Sequence, residues 1–435
     1  MDNSGVPFKV ALRFWAKLGF ISFGGPAGQI AIMHKELVEQ KRWISEGQFL
    51  RALNFCMLLP GPEAQQLATY IGWRLHGTLG GIVAGSLFVI PSIFVLLFLS
   101  WLAAAHGSVP VIAGMFYGIQ PVVIAIVFEA VLRIGKRALH HPMLLIFAGA
   151  AFMAISFLSI HFPWVIAAAG LSGFALQRRY PHIFLPKKQT HQIESKDSDP
   201  ENNASAPAYH HLLRALKISA VFLVLWALPA AGLWLWRGGS DVLVKEALFF
   251  TKAAFVTFGG AYAVLSYIAE IAVNHYLWLD AAQMVHGLGL AESTPGPLIM
   301  VTQYVGFMGA WKFHGAFSPL FNGILGALVT TYVTFLPCFF MIFLGAPYIE
   351  SLAGNKRLQA ALTGITSAVV GVILSLAVFF SGRVLLADHG RLDLFALVLA
   401  SLSFLVLKRF SMPVQYLVPM GAVAGMIWTL LIRLV

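Results

Sequence analysis

The chain has few charged residues and almost no cysteine. Only 11% of its 435 residues are charged, against about 25% in an ordinary soluble domain. Its two cysteines, Cys56 and Cys338, both lie in apolar stretches, which argues against a disulfide framework or a metal cluster. The sequence contains no HExxH motif, glycine-rich phosphate loop or nucleophile elbow. We therefore expect no enzyme activity, no metal and no cofactor.

Hydrophobic residues make up 59% of the chain, a composition typical of a helical protein that crosses the membrane many times. The net charge of +11 comes mostly from loops. There it favours a fixed orientation and contact with anionic lipid over binding of nucleic acid. The sequence therefore predicts an all-α polytopic membrane protein whose surroundings are the lipid bilayer.

The second half of the chain repeats the first. Phe-Gly-Gly at 23–25 and Pro-Gly-Pro at 60–62 return at 258–260 and 295–297, with the same spacing between the two motifs. Over residues 14–62, 13 of 49 positions are identical to their partner in the second copy. The match resumes further on with a slightly larger offset. Two copies of one membrane unit, interrupted by glycine and proline at corresponding places, are typical of secondary transporters.

Hydrophobic runs predict about 13 spanning helices, since each span needs about 20 mostly apolar residues. They are expected near 10–33, 47–74, 78–102, 111–132, 143–160, 162–177, 212–236, 248–270, 283–307, 320–345, 360–380, 394–407 and 413–434. The predicted division is a first repeat of six spans at 1–180, a disordered cytoplasmic linker at 181–211, an extra linking helix at 212–237 and a second repeat of six spans at 238–435.

The excess of Lys and Arg on one side of these spans predicts a cytoplasmic N-terminus. Because each repeat has an even number of helices, the extra helix would invert the second repeat relative to the first. We therefore expect two inverted six-helix repeats, related by an axis in the membrane plane.

The Pro-Gly-Pro segments predict interrupted helices. Pro60 and Pro62 leave backbone groups unpaired, and in a bilayer such groups must face protein or a water-filled cavity. A helix restarting after the break would present free N–H groups and the positive end of its dipole, which suits an anion. The inverted repeats would bring both restarts together near the midplane, and Gly24-Gly25 and Gly259-Gly260 would allow a neighbouring backbone to approach closely. The alternative is that Pro-Gly-Pro only kinks a helix and Gly-Gly only packs it.

Ionisable residues near the breaks are candidates for binding and coupling. Lys17 and Lys252 precede the Gly-Gly pairs by two turns and would together neutralise a dianion; alternatively, each only extends to the membrane interface. Glu63 and Glu292 are candidates for proton coupling because burial disfavours a charged carboxyl group. The alternative role of Glu63 is a simple N-terminal cap.

The predicted substrate site combines residues of both repeats. They are Lys17, Lys252, Gly24, Gly25, Gly259, Gly260, Pro60, Gly61, Pro62, Glu63, Gln65, Gln66, Pro295, Gly296, Pro297, Ser293, Thr294, Arg51 and Asn54.

These motifs resemble the chromate ion transporter family. The combination of FGGP and PGPEAQ in the first half with FGG and STPGP in the second is specific, and the likeness covers both halves apart from the linker and the extra helix. The resemblance implies a two-domain, long-chain member that exports chromate across a bacterial inner membrane and so confers chromate resistance. It also implies that nine residues of the motifs are essential: Gly24, Gly25, Pro60, Gly61, Pro62, Glu63, Pro295, Gly296 and Pro297.

Chromate is a tetrahedral dianion like sulfate, so competition by sulfate is expected. No nucleotide-binding motif is present, and energy is therefore expected from the membrane potential or a proton gradient. The alternatives are a transporter of sulfate or another oxyanion, or an anion channel. The sequence leaves the oligomeric state open, a homodimer included.

Overall fold

A computed structural model describes residues 5–185, 208–349, 355–386, 391–410 and 412–434. These residues form helices and loops, with an isolated β-bridge between Leu386 and Leu392. The all-α prediction is confirmed for this part of the chain.

The helices of the first half precede a long connecting helix, and those of the second half follow it. The first set is α1 (Phe8–Ile21), α2 (Gly25–His34), α3 (Glu46–Leu58), α4 (Glu63–His106), α5 (Pro110–Ala138), α6 (Pro142–Ser156), α7 (Phe162–Leu176) and the short α8 (Pro181–Phe184). The connecting helix is α9 (Ala208–Arg237). The second set is α10 (Val242–Val256), α11 (Ala261–Ala269), α12 (Ala281–Ser293), α13 (Val301–Lys312), α14 (Pro319–Gly345), α15 (Lys356–Val384), α16 (Leu394–Phe410) and α17 (Val414–Leu434).

Several helices have matching bounds in the two halves. Helices α3 and α12 begin and end at positions that correspond in the sequence repeat, and α5 and α15 each have 29 residues. A six-residue π-helix follows α2 at Lys35–Gln40, and another follows α11 at Glu270–His275. π-Helices are rare and are frequently found at functional sites. The two copies therefore share an irregular backbone as well as a sequence pattern.

Six of the helices in the described chain are long and apolar enough to cross a membrane. They are Glu63–His106, Pro110–Ala138, Leu212–Arg237, Pro319–Tyr348, Lys356–Val384 and Val414–Ile432. The shorter apolar helices α6 and α7 accompany them. Helix α4 contains a break at His76 and Gly77, where the backbone leaves the helical conformation. A multi-pass architecture is thus confirmed, whereas the number of 13 spans stays a prediction.

The expectation of continuous helices near 10–33 and 248–270 is wrong. The first run is divided between α1 and α2, and the second between α10 and α11. The Pro-Gly-Pro segments interrupt their helices as predicted, between α3 and α4 and again between α12 and α13. In the described part of each half, a second break thus accompanies the Pro-Gly-Pro break that the sequence had indicated.

The role expected of Gly24-Gly25 is also corrected. Their φ angles are 87° and 68°, a region that glycine adopts far more readily than other residues. A side chain built at Gly25 would meet no atom within 4 Å, so no neighbouring backbone approaches it closely. These glycines turn the chain between two helices instead of packing them.

Both ends of the predicted disordered linker at 181–211 are helical. Residues Pro181–Phe184 form α8, in which Ile183 and Phe184 are buried, and the connecting helix already begins at Ala208. The remainder of the predicted linker, 186–207, lies outside the described residues.

Helices of the two halves pack against one another. α5 contacts α15, α16 and α17, and α4 contacts α13 and α14. The connecting helix α9 lies at the periphery, where no residue of its most apolar stretch is buried. Ser22 and Thr257, which directly precede Phe-Gly-Gly in the two halves, are fully buried.

Candidate anion site between the helix breaks

The breaks of the two halves touch through a pair of backbone hydrogen bonds. The N–H of Gly61 donates to the carbonyl oxygen of Thr257, and the N–H of Gly296 donates to that of Ser22, each at 2.9 Å. Gly61 and Gly296 occupy matching positions of the sequence repeat, and so do Ser22 and Thr257. The two bonds are therefore one contact made twice with the halves exchanged, as expected around a local two-fold axis.

A small cavity lies between these breaks. It is lined by the starts of four helical segments: Pro26 and Gln29 of α2, Pro62, Glu63 and Ala64 at the start of α4, Gly260 and Ala261 at the start of α11, and Pro297 and Leu298 before α13. Its volume is about 10 Å³, roughly what a single water molecule needs. A tetrahedral oxyanion does not fit, so this conformation is closed around the site.

Backbone N–H groups at the start of α4 have no acceptor within the helix. The first helical hydrogen bond after the break runs from the N–H of Gln66 to the carbonyl oxygen of Pro62 at 3.0 Å. The N–H groups of Glu63, Ala64 and Gln65 precede it and belong to the first turn. Such a turn carries the positive end of the helix dipole. Helix starts around one cavity can therefore attract an anion without a cationic side chain.

Glutamine side chains hold the two breaks in shape. The Nε2 of Gln29 donates to the carbonyl oxygen of Gly296 at 2.6 Å, which joins α2 to the break of the other half. The Nε2 of Gln66 donates to the carbonyl oxygen of Pro60 at 2.7 Å. The Nε2 of Gln65 donates to Thr69 within α4. The amide groups of Gln29 and Gln66 satisfy backbone oxygens that the breaks would otherwise leave unpaired.

The predicted carboxyl groups have different surroundings. Glu63 is partly buried and lines the cavity. Glu292 is only 5% exposed and accepts a hydrogen bond from the hydroxyl of Tyr262. Since Tyr262 directly follows the cavity residue Ala261, Glu292 is connected to the cavity through the start of α11.

The two predicted lysines do not line the cavity. The Nζ of Lys17 forms an ion pair with Glu36 Oε1 at 3.2 Å, and the Lys17 side chain is 61% exposed. Lys252 is also exposed. In this closed conformation the structure brings neither amine to the breaks.

The remaining predicted polar residues lie on the helices that precede the breaks or at their ends, and none lines the cavity. Arg51 is partly buried and Asn54 is exposed, both on α3. The hydroxyls of Ser293 and Thr294 donate to carbonyl oxygens of the preceding turn, at 3.1 and 3.3 Å. These hydroxyls thereby pair with carbonyl oxygens at the end of α12, where a helix leaves its last carbonyl groups without a helical partner.

Sequence reasoning missed several residues of this region, among them Gln29, Tyr262, Ser22 and Thr257. The last two had a signal, because both are small hydroxyl residues directly before Phe-Gly-Gly, at matching positions of the two halves. Their hydroxyls donate to the carbonyl oxygens four residues earlier, at 2.6 Å in both halves. Gln29 and Tyr262 had none, since the matched positions carry unrelated residues.

Glu246 of α10 was also missed. It is fully buried, and neither of its carboxyl oxygens has a hydrogen-bond partner among the described residues. A side chain built at Gly309 would lie 2.6 Å from one of these oxygens. Because an unpaired buried charge is costly, such a site favours the neutral carboxyl group.

A family model described as "Chromate transporter" matches residues 10–174 and 244–426, one stretch in each half. The chain is 33% identical to the "Chromate transport protein" of Pseudomonas aeruginosa, over 82% of this chain and 77% of that protein. It is 27% identical to the protein of the same name from Cupriavidus metallidurans, over 94% and 90% of the two chains. A "Probable chromate transport protein" of Synechococcus elongatus is 27% identical, over 97% and 95%. No solved structure matches the chain significantly.

Proposed function

Because the chain belongs to the chromate transporter family, which is a family of transporters and not of enzymes, we propose that it exports chromate from the cytoplasm as a secondary active transporter. The observation that carries this proposal is the meeting of four helix starts from both halves around one cavity. Converging N–H groups and dipole ends suit a tetrahedral dianion. Export through a bacterial inner membrane would give resistance to chromate.

The transport cycle we propose is alternating access between inverted repeats. The paired hydrogen bonds of Gly61 and Gly296 support a two-fold relation between the halves. The one extra helix between the repeats would place that axis in the membrane plane. The chain would then have 13 spans, with its N-terminus in the cytoplasm. The closed cavity then represents an occluded state, and rocking of one repeat against the other would open it to either side.

The driving force we propose is the membrane potential or a proton gradient. Moving two negative charges out of a negative interior is favoured by about 4.6 kcal/mol per 100 mV. Glu63, at the cavity, is the first candidate for a coupled proton, and Glu292 is the second. Lys17 and Lys252 would attract the anion towards the breaks without contacting it in the closed state.

Everted membrane vesicles provide the test. We expect them to accumulate chromate when energised and to lose this uptake when an ionophore removes the potential and the pH gradient. Sulfate in excess should compete. Uptake that ignores both gradients would contradict the energetic part of the proposal.

A second candidate is a transporter of sulfate or another oxyanion, because backbone N–H groups recognise charge and shape and not the central atom. Purified chain in proteoliposomes, given chromate and sulfate separately, would distinguish the two substrates.

An anion channel is a third candidate. Conductance in a planar bilayer far above transporter turnover would identify it. Cross-linking in the membrane would test for a homodimer.

A further inference from the structure

We propose that an anionic phospholipid binds in a groove between α9, α4 and α14, with its phosphate group at Arg214 and Lys217. The groove has a volume of about 540 Å³. It is separate from the cavity between the helix breaks, and no step of the proposed transport cycle involves it. The proposal therefore goes beyond the transport function.

One end of the groove has the chemistry of a lipid headgroup site. Arg214 and Lys217 of α9 line it together with Trp73 and Thr78 of α4, and the Arg214 guanidinium lies 5.9 Å from the centre of a Trp73 ring. Basic residues between membrane helices bind anionic headgroups, and tryptophan is enriched at headgroup depth. No acidic residue is among the described residues that line this groove.

The rest of the groove is apolar and has the length of one leaflet. Its walls run from Thr78 to Ser86 on α4 and from Lys217 to Leu225 on α9. The two ends of each stretch lie eight residues apart, or about 12 Å at 1.5 Å per residue. One leaflet contributes about half of the roughly 30 Å hydrocarbon core. An acyl chain that begins at the basic end would thus run along the groove to its far end.

The backbone of α4 agrees with this assignment of the two ends. It leaves the helical conformation at His76 and Gly77, beside Trp73 and Thr78 at the basic end. Non-helical backbone is tolerated where water or polar groups can reach it, and not against hydrocarbon. A headgroup at this end of the groove agrees with the position of this break.

The connecting helix leaves space that a lipid would fill. Phe222 of α9 stacks on Phe340 of α14 with ring centres 4.4 Å apart, and the hydroxyl of Tyr332 donates to the carbonyl oxygen of Leu225 at 2.7 Å. No residue of the most apolar stretch of α9 is buried against protein. With the N-terminus in the cytoplasm, the groove would open in the cytoplasmic leaflet, where anionic lipids attract basic residues.

The test compares phosphatidylglycerol with phosphatidylcholine on the full chain purified in detergent. We expect native mass spectrometry to show bound phosphatidylglycerol, and this lipid to raise the unfolding temperature more than phosphatidylcholine does. The double variant Arg214→Gln/Lys217→Gln should bind phosphatidylglycerol about tenfold more weakly or worse. Its matched control is Lys408→Gln/Arg409→Gln, which removes two charges at the end of α16 and should bind as the wild type does.

A variant of the apolar wall keeps the charges intact. Ile82→Trp would fill the groove and should also reduce lipid retention, which guards against a double variant that fails to fold. Unchanged retention in both groove variants would overturn the proposal, and so would an equal loss in the control. Equal stabilisation by phosphatidylcholine or by inorganic phosphate alone would overturn it as well. None of these measurements uses chromate, so they leave the transport proposal untouched.

Discussion

The backbone N–H of Gly61 donates to the carbonyl oxygen of Thr257, and the φ angle of Gly61 is 128° where it does so. The equivalent bond ties Gly296 to Ser22. Each bond joins the break before one cavity-lining helix to the other half of the chain. A shift of the halves at this point would leave buried backbone groups unpaired, at about 1–3 kcal/mol each. We therefore expect the two breaks to move together during transport.

The first prediction concerns these glycines. In Gly61→Ala the new Cβ would lie 2.6 Å from Gln66 Nε2 and 3.1 Å from Cys338 Sγ. In Gly296→Ala it would lie 2.8 Å from the Cβ of Ser92. The positive φ angles add strain of about 1–3 kcal/mol. We expect each change to lower the initial rate of chromate uptake into everted vesicles about tenfold or more.

The matched control for these variants is Gly149→Ala on α6. A Cβ at Gly149 would meet no atom within 4 Å, and alanine favours a helix over glycine. This variant should keep the wild-type rate. Membrane levels should be measured by immunoblot for all three proteins. Wild-type uptake by Gly61→Ala and Gly296→Ala would show that the paired breaks are dispensable.

The second prediction concerns Glu63. Among the described residues that line the cavity, only Glu63 has a carboxyl side chain. Glu63→Gln keeps the size and polarity of the side chain but can no longer release a proton. We expect uptake by this variant to respond to the membrane potential and no longer to an imposed pH gradient. Selective ionophores in everted vesicles separate the two forces. Glu46→Gln in the first turn of α3 is the control and should keep both responses; a pH response in Glu63→Gln would exclude Glu63 as the proton carrier.

The third prediction concerns the buried contact between Tyr262 and Glu292. Tyr262→Phe removes the hydroxyl, and an ordinary hydrogen bond contributes about 0.5–1.5 kcal/mol to stability. We expect a lower unfolding temperature and a displaced pH profile of uptake. In a Glu292→Gln background the same change should have a smaller effect, because the two residues act through one contact.

Tyr267→Phe, on the same helix α11, is the control for the substitutions of Tyr262 and Glu292. The Tyr267 ring stacks on Phe162 with centres 5.8 Å apart, and phenylalanine would keep that packing. Its pH profile should match the wild type. Strictly additive effects of Tyr262→Phe and Glu292→Gln would mean that the two side chains do not act on each other.

The fourth prediction concerns Lys252. If it attracts the anion from an exposed position, Lys252→Met should raise the half-saturating chromate concentration a few-fold and leave the maximal rate unchanged. The difference should shrink as salt is added, since ions screen charges about 10 Å apart at 0.1 M. Lys245→Met, also exposed on α10, is the control. An apparent affinity that stays at the wild-type value in both Lys252→Met and Lys17→Met would remove the anion role of the lysines.

Much of the local structure could be predicted, because some residues restrict the backbone conformation at their own positions. Proline restricts its φ angle and lacks an N–H, so the Pro-Gly-Pro segments interrupted their helices where expected. The breaks at the Gly-Gly pairs were missed, because glycine permits a left-handed turn without requiring one. The apolar runs on both sides of Gly24 read as a single span for the same reason.

The candidate site was predicted in part. Repetition pointed to the two Pro-Gly-Pro breaks, and Glu63 and Gly260 do line the cavity. Gln29 was missed because it reaches the break of the other half across 267 positions of sequence. Lys17 was placed beside the breaks from helix spacing, but spacing cannot show that Glu36 lies within 3.2 Å of its amine.

The sequence by itself determined that this protein is helical, lies in a membrane, consists of two copies of one unit and has helices interrupted at its two Pro-Gly-Pro segments. Hydrophobic length, repetition and the stereochemistry of single residues are local properties, and each is readable without a fold. Only the tertiary structure decided that four helix starts meet at one cavity and that Tyr262 contacts Glu292. Those relations depend on how helices of opposite halves pack. The packing joins residues that are far apart in the chain, and no periodicity of the sequence relates such residues to one another.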